Sequence, residues 1–439
     1  MSEWKDYKIK EIAETYAGGT PSRANPEFFG GDIPFISSSE VNQSYINSTY
    51  ENITELGLQA SSAKWIPPNS VLVALYGATA GQVAKLKISA TSNQAVLAVI
   101  PHCGFDVDYI YYSLIASKDR LLYLAQGSGQ PNLSKETVDK TILTIPISRF
   151  EQRKIAHILS TVDAVIEKTE AAIAKYESIK KGMMADLFTR GIDPATGKLR
   201  PRYEDAPELY QETELGWVPK DWEVESVKSL SIGGLKNGYF KKPELVGRGL
   251  ELVNVTDLYQ PFRINIYEHK VERVEASQED YVKYAVAPGD IFFTRSSLVL
   301  DGIAHCNISV KLPEKAIYEC HVMRLRPNQQ KINPLFLAYF CRTHYARRYF
   351  MTIAKQVTMV TISQPDIEKF LVAFPRSIKE QEIIAGKIQS CDDNLCNERV
   401  SLKKYNNLKQ GLMADLLTGR VRVQVAVEPA AGMAEVSNG

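Results

Sequence analysis

The chain carries the segment EQRKIAHILSTVDAVIEKTEAAIAKYESIKKGMMADLFTR at residues 151–190, and a related segment, EQEIIAGKIQSCDDNLCNERVSLKKYNNLKQGLMADLLTG, at residues 380–419. The two segments align without a gap, and 14 of the 40 aligned positions are identical. In each copy, apolar residues recur at alternating three- and four-residue spacing, which is typical of a helix that packs along one seam. Neither copy contains proline, so each predicts one long helix.

A helix of this length overhangs a domain of about 150 residues. We therefore expect the two helices to pack against each other along their seams, and the alternative is that each helix packs only on its own globule. The seam residues are Ile155, Val162, Tyr176 and Met183 in the first helix and Leu395, Leu402, Tyr405 and Leu412 in the second.

The repeat divides the chain into a globule, a helix, a second globule and a second helix. Short apolar runs predict strands at residues 70–75, 94–100, 290–294 and 321–325, and a helical period marks residues 108–124 and 334–353. Because strands and helices do not alternate regularly, the fold class is α+β. The predicted boundaries are 1–150 for the first globule, 151–190 for the first helical spacer, 191–215 for a linker, 216–378 for the second globule, 379–419 for the second helical spacer, and 420–439 for a disordered tail.

Composition excludes several protein classes. The 439 residues are 44% hydrophobic and 23% charged, which is ordinary for a globular protein and excludes a wholly disordered chain. The formal net charge is +1, so any basic face for nucleic acid must be local. No apolar stretch resembles a signal peptide or a membrane span, and the six cysteines form no CxxC pair. We expect a cytoplasmic protein with reduced thiols and no membrane partner.

Motifs for catalysis are missing from the sequence. It contains no GxGxxG, no GxxxxGK[ST] and no [DN]PP[YF], which excludes the usual dinucleotide, P-loop and amino-methyltransferase signatures. Cys341 and His344 have a spacing seen in zinc sites, but they lie in a helical pattern. We therefore predict no catalytic residue and no metal site.

Polar loops between the apolar runs are the candidate binding elements. Arg, Lys, Asn, Gln, Ser and Thr side chains in such loops are those that pair with base edges and phosphates, although surface loops are polar in any case. The candidate DNA-binding residues are Thr20, Ser22, Arg23, Tyr76, Thr79, Gln130 and Asn132 in the first globule, and Lys236, Lys241, Lys242, Arg295, Ser296, Ser297, Gln356, Thr358 and Thr361 in the second.

Several motifs together resemble the specificity (S) subunits of Type I restriction-modification systems. GGTPSR at residues 18–23 and FFGGDIPFISSSEV at residues 28–41 are similar to the opening of the globules in that family. EQRKIAHILSTVDAVI from Glu151 resembles its helical region, ELGWVPKDW at residues 214–222 resembles its second opening, and LLTG at residues 416–419 resembles its ending. The resemblance covers nearly the whole chain.

The resemblance implies a DNA-recognition subunit without catalysis of its own. Each globule would be a target-recognition domain for one half of a bipartite double-stranded site, and the helices would form an antiparallel coiled coil. The helices would dock two methylation (M) subunits, which use S-adenosylmethionine, and restriction (R) subunits, which use ATP and Mg. The alternatives are a non-catalytic coiled-coil adaptor for other proteins and a self-contained DNA methyltransferase or nuclease.

Overall fold

The structure is a computed structural model that describes residues 3–124, 132–260, 262–265, 271–311, 315–356 and 358–424. The candidate Gln130 and residues 425–439 of the predicted tail lie outside the described residues. The chain forms two compact units. Unit 1 comprises residues 1–169 and 401–439, and unit 2 comprises residues 170–400.

Unit 1 is built on a five-stranded sheet of order β2-β9-β6-β7-β4 and a three-stranded sheet of order β5-β3-β8, while β1 pairs with β10. The strands are β1 (Trp4–Lys8), β2 (Ala13–Ala17), β3 (Phe29–Ile36), β4 (Tyr45–Ile46), β5 (Glu51–Ile53), β6 (Val71–Ala74), β7 (Val83–Leu86), β8 (Thr91–Ser92), β9 (Val96–Pro101) and β10 (Ile142–Pro146). The helices are α1 (Ile9–Ile12), α2 (Glu55–Gln59), α3 (Val107–Ala116), α4 (Lys118–Leu124), α5 (Lys135–Asp139) and α6 (Arg149–Leu187).

Unit 2 has the corresponding five-stranded order β14-β22-β18-β20-β16 and three-stranded order β17-β15-β21, while β13 pairs with β25 and β11 with β12. The strands are β11 (Tyr210–Thr213), β12 (Gly216–Pro219), β13 (Trp222–Ser226), β14 (Lys236–Asn237), β15 (Val246–Val253), β16 (Ile264–Asn265), β17 (Glu272–Val274), β18 (Ile291–Thr294), β19 (Ser296–Ser297), β20 (Cys306–Lys311), β21 (Ala316–Tyr318), β22 (Val322–Leu325), β23 (Lys355–Gln356), β24 (Val360–Thr361) and β25 (Leu371–Pro375). The helices are α7 (Val255–Leu258), α8 (Gln278–Tyr284), α9 (Pro334–Phe340), α10 (His344–Ile353), α11 (Gln364–Glu368) and α12 (Ile378–Leu416).

The strands predicted from apolar runs are confirmed as β6, β9, β18 and β22. Both regions with a helical period are confirmed as helical, and each contains two helices: α3 and α4 in the first, and α9 and α10 in the second. Thr343 explains the second break, since its hydroxyl accepts a hydrogen bond from the Ala346 amide at 3.2 Å and starts a new helix. No helix in the described part of the chain is long and apolar enough to span a membrane.

The long helices α6 and α12 each contain 39 residues. Their first turns are anchored by the identical Glu-Gln pair that opens each repeat. The Gln152 side chain accepts from the Asp106 amide at 2.7 Å, and the Gln381 side chain accepts from the Asn333 amide at 2.6 Å. Asp106 and Asn333 are the N-cap residues of α3 and α9, so each glutamine fixes a long helix to a helix of its own globule.

The segment predicted as a linker, residues 191–215, is instead ordered within unit 2. Arg200 is buried and binds the buried Glu380 through two hydrogen bonds of 2.6 and 2.9 Å. Trp222 donates its indole N–H to the same carboxylate at 3.3 Å. Pairing a buried charge is what holds this segment in place, and a composition rich in Pro, Gly and charge does not reveal such a pairing.

Candidate nucleic-acid interface

In unit 2, the turn between β21 and β22 lies at the centre of the candidate site. Its backbone is held by residues distant in sequence, because Glu319 N donates to Val253 O at 3.0 Å and Arg295 N donates to His321 O at 2.9 Å. A further bond of 3.0 Å, from Val322 N to Glu319 O, closes the turn. We call residues 319–321 the central turn of unit 2.

Glu319 orients the exposed ring of His321. The buried Glu319 carboxylate accepts both the His321 amide and the His321 Nδ1, each at 3.0 Å. Because a carboxylate only accepts hydrogen bonds, the proton lies on Nδ1 and leaves Nε2 as the ring atom available to a ligand. The His321 side chain is 60% exposed.

Two depressions meet at His321, with volumes of about 450 and 600 Å³. Both contain amide, hydroxyl and cationic side chains together with carboxylates, a mixture suited to base edges and phosphates. The smaller depression is lined by Lys241, Asn254, Val255, Thr256, Asp257, Glu272, Glu319 and His321. The larger is lined by Asn237, Arg295, Ser296, His321, Met323, Lys355, Thr361, Ile362, Ser363, Gln364, Pro365 and Asp366.

The structure brings together two of the predicted loops of unit 2. Ser296 pairs with Thr361 between β19 and β24, and Gln356 pairs with Val360 between β23 and β24, so both loops belong to one small sheet. Arg295, Ser296 and Thr361 line the larger depression, and Lys241 lines the smaller. Exposed positions are also occupied by Lys236, Lys242, Gln356 and Thr358.

Two predicted residues of unit 2 are engaged within the protein. Ser297 is buried and its hydroxyl accepts the Val299 amide at 3.2 Å, so it supports the turn instead of facing solvent. Lys241 donates to Glu272 at 2.5 Å and to Asn254 at 3.1 Å. A DNA phosphate would have to compete with that carboxylate for the ammonium group.

Unit 1 has a central turn of the same construction at residues 93–95. Asn93 N donates to Ile36 O at 2.9 Å, Leu75 N donates to Ala95 O at 2.8 Å, and Val96 N donates to Asn93 O at 3.2 Å. The exposed residue of this turn is Gln94. The predicted Thr20 donates its hydroxyl proton to Gln94 Oε1 at 2.5 Å, which leaves the Gln94 amide NH₂ group available.

A glycine lies beside each central turn because the backbones touch. A Cβ on Gly18 would lie 2.0 Å from Ser92 O, and one on Gly238 would lie 2.3 Å from Tyr318 O and Glu319 O. Any larger residue would push the loop that carries Thr20, or the loop that carries Lys241, away from its turn.

The other predicted residues of unit 1 differ in their surroundings. Arg23 binds Glu51 through two hydrogen bonds of 2.6 and 2.7 Å and lies over the ring of Phe29. Tyr76 packs partly against the core of unit 1, and burial raises the pKa of its phenol. Ser22 and Asn132 are exposed, and Thr79 is half-buried.

Sequence reasoning missed Gln94, Glu319 and His321. The apolar runs assigned residues 94–100 and 321–325 to strands, whereas β9 begins at Val96 and β22 at Val322. Gln94 and His321 therefore lie in turns just before those strands. The available signal was a polar residue at the start of an otherwise apolar run, which is weak because strands often begin with one.

Each unit contains the same contact between its two long-helix segments and its globule. In unit 2, Lys180 donates to Asp392 at 2.5 Å, and Tyr339 donates to the same carboxylate at 2.9 Å. In unit 1, Lys409 binds Asp163 at 2.6 Å and Tyr112 donates to it at 2.7 Å. Burial, followed by the adjacent carboxylate, raises the pKa of both tyrosines well above the usual range.

The predicted seam residues divide into three groups. Ile155 and Leu412 pack into the core of unit 1, and Met183 packs into the core of unit 2, so these three hold a helix to its globule. In unit 2, Leu395 is buried, and Cys391 Sγ lies 3.6 Å from Tyr176 O, where the two helices meet. The remaining three, Val162, Leu402 and Tyr405, are half-buried.

One group of described residues has the composition of a metal site. Glu319, Cys320 and His321 each place one ligand atom within 4.8 Å of the others. Burial, followed by the charge of Glu319, raises the pKa of the Cys320 thiol, and the bond between Glu319 and His321 accounts for the cluster without an ion. Cys341, which has zinc-like spacing to His344 in the sequence, is buried, and burial raises the pKa of its thiol well above the usual value. Burial also raises the pKa of the Cys306 thiol, to about 11.

Comparison with known protein families matches the two parts of the chain that contain the central turns. The family model described as the Type I restriction modification DNA specificity domain matches residues 1–177 and 219–410. The chain belongs to this family. The two matched stretches each contain one central turn and most of one long helix, and they exclude the whole of the ordered segment, residues 191–215, that carries Arg200.

Relatives of similar length support the assignment. The chain is 25% identical over 429 residues to the Type I restriction enzyme MjaVIII specificity subunit of Methanocaldococcus jannaschii, covering 96% of this chain and 94% of that one. It is also 25% identical over 436 residues to the MjaIX specificity subunit of the same organism, with the same coverage. The fold is similar to the crystal structure of a Type I restriction-modification system S subunit from M. genitalium, with a TM-score of 0.61, 13% identity, and coverage of 94% of this chain and 96% of that one.

Proposed function

We propose that this chain is the DNA-recognition subunit of a Type I restriction-modification complex, and that each unit reads one half of a bipartite double-stranded site. The observation that carries the proposal is that one backbone frame occurs in both units with different side chains. The turn between equivalent strands reads Asn-Gln-Ala in unit 1 and Glu-Cys-His in unit 2. A shared frame with unlike side chains is what two readers of unlike half-sites require.

The long helices serve a different role in this proposal. They form an antiparallel coiled coil with a pseudo-twofold repeat, and two methylation subunits dock on its two equivalent surfaces. The proposal is supported by the repeated contacts of Lys180 with Asp392 and of Lys409 with Asp163, since each joins the later part of one helix to the earlier part of the other. Restriction subunits join the same assembly.

Chemistry resides in the partner subunits under this proposal. The methylation subunits bind S-adenosylmethionine, and the restriction subunits bind ATP and Mg. This chain contributes recognition and spacing. Consistent with that role, the polar groups at the two central turns are hydrogen-bonding side chains suited to binding. Burial raises the pKa of the Cys320 thiol in the unit 2 turn, which opposes nucleophilic chemistry there.

The test is to express the chain with the methylation and restriction subunits of its own system and to map methylated bases in a random DNA library. We expect one motif made of two short half-sites separated by an unread spacer. A continuous motif would contradict the two-reader proposal. Methylation by the isolated chain, with S-adenosylmethionine but without its partners, would contradict the assignment of chemistry to the partner subunits.

A further inference from the structure

We propose that the central turns contain the specificity-determining residues His321 and Gln94, each of which decides one base pair of its half-site. The inference rests on the proposed function, because it assumes that each unit reads DNA. It adds the residues that discriminate, neither of which lies in the loops predicted from the sequence. Both are the exposed polar residues of their turns.

Hydrogen bonds to residues distant in sequence hold the backbone of each turn, so its side chains can differ without moving the site. Hydrogen bonds tie the unit 2 turn to Val253 and Arg295, and the unit 1 turn to Ile36 and Leu75. Gly238 lies against the backbone of Tyr318 and Glu319, and Gly18 lies against Ser92, the residue before the unit 1 turn. Side chains on such a frame can differ between the units while the backbone stays the same.

His321 lies where the two depressions of unit 2 meet. It lines both depressions of unit 2, with Lys241 in one and Arg295 and Lys355 in the other. The ammonium groups of Lys241 and Lys355, one in each depression, suit phosphates, which orient the duplex but carry no sequence information. The side chain between them is therefore placed to meet a base edge.

Each proposed reader is oriented at one of its two polar atoms, which leaves the other for DNA. Glu319 binds His321 Nδ1 and leaves Nε2 for DNA. In the major groove a neutral ring accepts from the amino group of adenine or cytosine, and a protonated ring donates to N7 of guanine or adenine. Thr20 donates to Gln94 Oε1, so the amide NH₂ donates, and guanine and adenine offer N7 as acceptor. Orientation by a neighbour lowers the cost of ordering the side chain on binding. Glu319 and Thr20 are thus positioning residues.

The experiment uses the full chain assembled with its methylation subunits and a DNA library randomised across both half-sites. We compare wild type with His321→Ala, Gln94→Ala and the control His102→Ala, an exposed histidine outside both sites. His321→Ala should reduce the preference at one base pair of one half-site by roughly 5- to 100-fold, the usual range for a single mismatch. Gln94→Ala should do the same at one base pair of the other half-site, and His102→Ala should change no preference.

Outcomes separate this inference from the proposed function. A wild-type complex without a bipartite motif rejects the proposed function itself. If the wild-type complex recognises a bipartite motif, the proposed function stands. This inference alone is then rejected if either variant leaves every base preference unchanged, lowers methylation uniformly over all sequences, or alters both half-sites. Glu319→Gln tests the positioning role, and it should weaken the preference at the same base pair as His321→Ala and at no other. A change at a different base pair would overturn that role.

Discussion

Lys180 and Asp392 form an ion pair at 2.5 Å, and the repeat places Lys409 and Asp163 in the same relationship at 2.6 Å. In both pairs the lysine also lies 5.9 Å from the ring of the tyrosine that donates to the carboxylate. Each carboxylate thus joins two helices and a globule. These positions are identical between the two repeat segments, although the surrounding residues differ, which indicates that they stabilise the helix-to-globule junction.

The first prediction concerns this junction. Asp392→Ala removes the partner of both Lys180 and Tyr339, so it should lower the free energy of unfolding by about 1–3 kcal/mol, the usual value of hydrogen bonds to a charged group. Denaturant unfolding measures the change. The control Glu177→Ala breaks an exposed pair with Arg399 and should cost less than about 1 kcal/mol. Equal losses in the two variants would contradict a stabilising role for the junction.

The second prediction concerns the ordered segment after α6. Arg200→Ala leaves the buried Glu380 carboxylate without its cation, and breaking a buried pair in this way costs about 3–5 kcal/mol. We expect a loss of that size in denaturant unfolding. Arg376→Ala is the matched control, because its pair with Glu223 is exposed and should contribute little. If Arg200→Ala is as stable as Arg376→Ala, the segment is not held by this pair.

The third prediction concerns Arg295, which was predicted from sequence and lines the larger depression. Arg295→Ala should weaken DNA binding by the assembled complex by about 1–3 kcal/mol if the guanidinium contacts a base in bidentate fashion. Methylated-site mapping should then show relaxed preference at one base pair. A loss that is uniform over all sequences would make Arg295 a phosphate contact, and Arg376→Ala, outside the site, should show neither effect.

How much the sequence predicts depends on whether a feature is local. The long helices were predictable because each apolar period lies within one continuous segment. The structure has them at Arg149–Leu187 and Ile378–Leu416, close to the predicted 151–190 and 379–419. The central turns were not, because their shape comes from hydrogen bonds to Val253 and Arg295, which are distant in sequence. Ser297 shows the converse error, since a serine in a polar loop gives no sign that it is buried.

The fourth prediction is that the two readers are modular. Replacing residues 222–374 by the second globule of another family member should change one half-site only, because the central turn of unit 1 and its bonds to Ile36 and Leu75 are untouched. The exchange keeps Glu380 and Gln381, which anchor α12. Mapping methylated sites of the hybrid complex measures the result. A change in both half-sites would contradict one reader per unit.

The last prediction is that the length of the helices, in the proposed antiparallel coiled coil, sets the length of the DNA spacer between the two half-sites. Four residues inserted after Ala171 and four after Val400 lie within two residues of the points where the chain passes from one unit to the other. The Lys180–Asp392 and Lys409–Asp163 pairs therefore each stay within their own unit. Four residues add about 6 Å of helix and exceed one turn by only ~40°, so the seams should still meet.

At a rise of about 3.4 Å per base pair, the double insertion should lengthen the unread spacer by one or two base pairs and leave both half-sites unchanged. The control is a two-residue insertion at both points, which turns each seam by about 200° and should abolish assembly with the methylation subunits. Methylated-site mapping measures the spacer. An unchanged spacer with retained methylation would show that the helices do not set the distance.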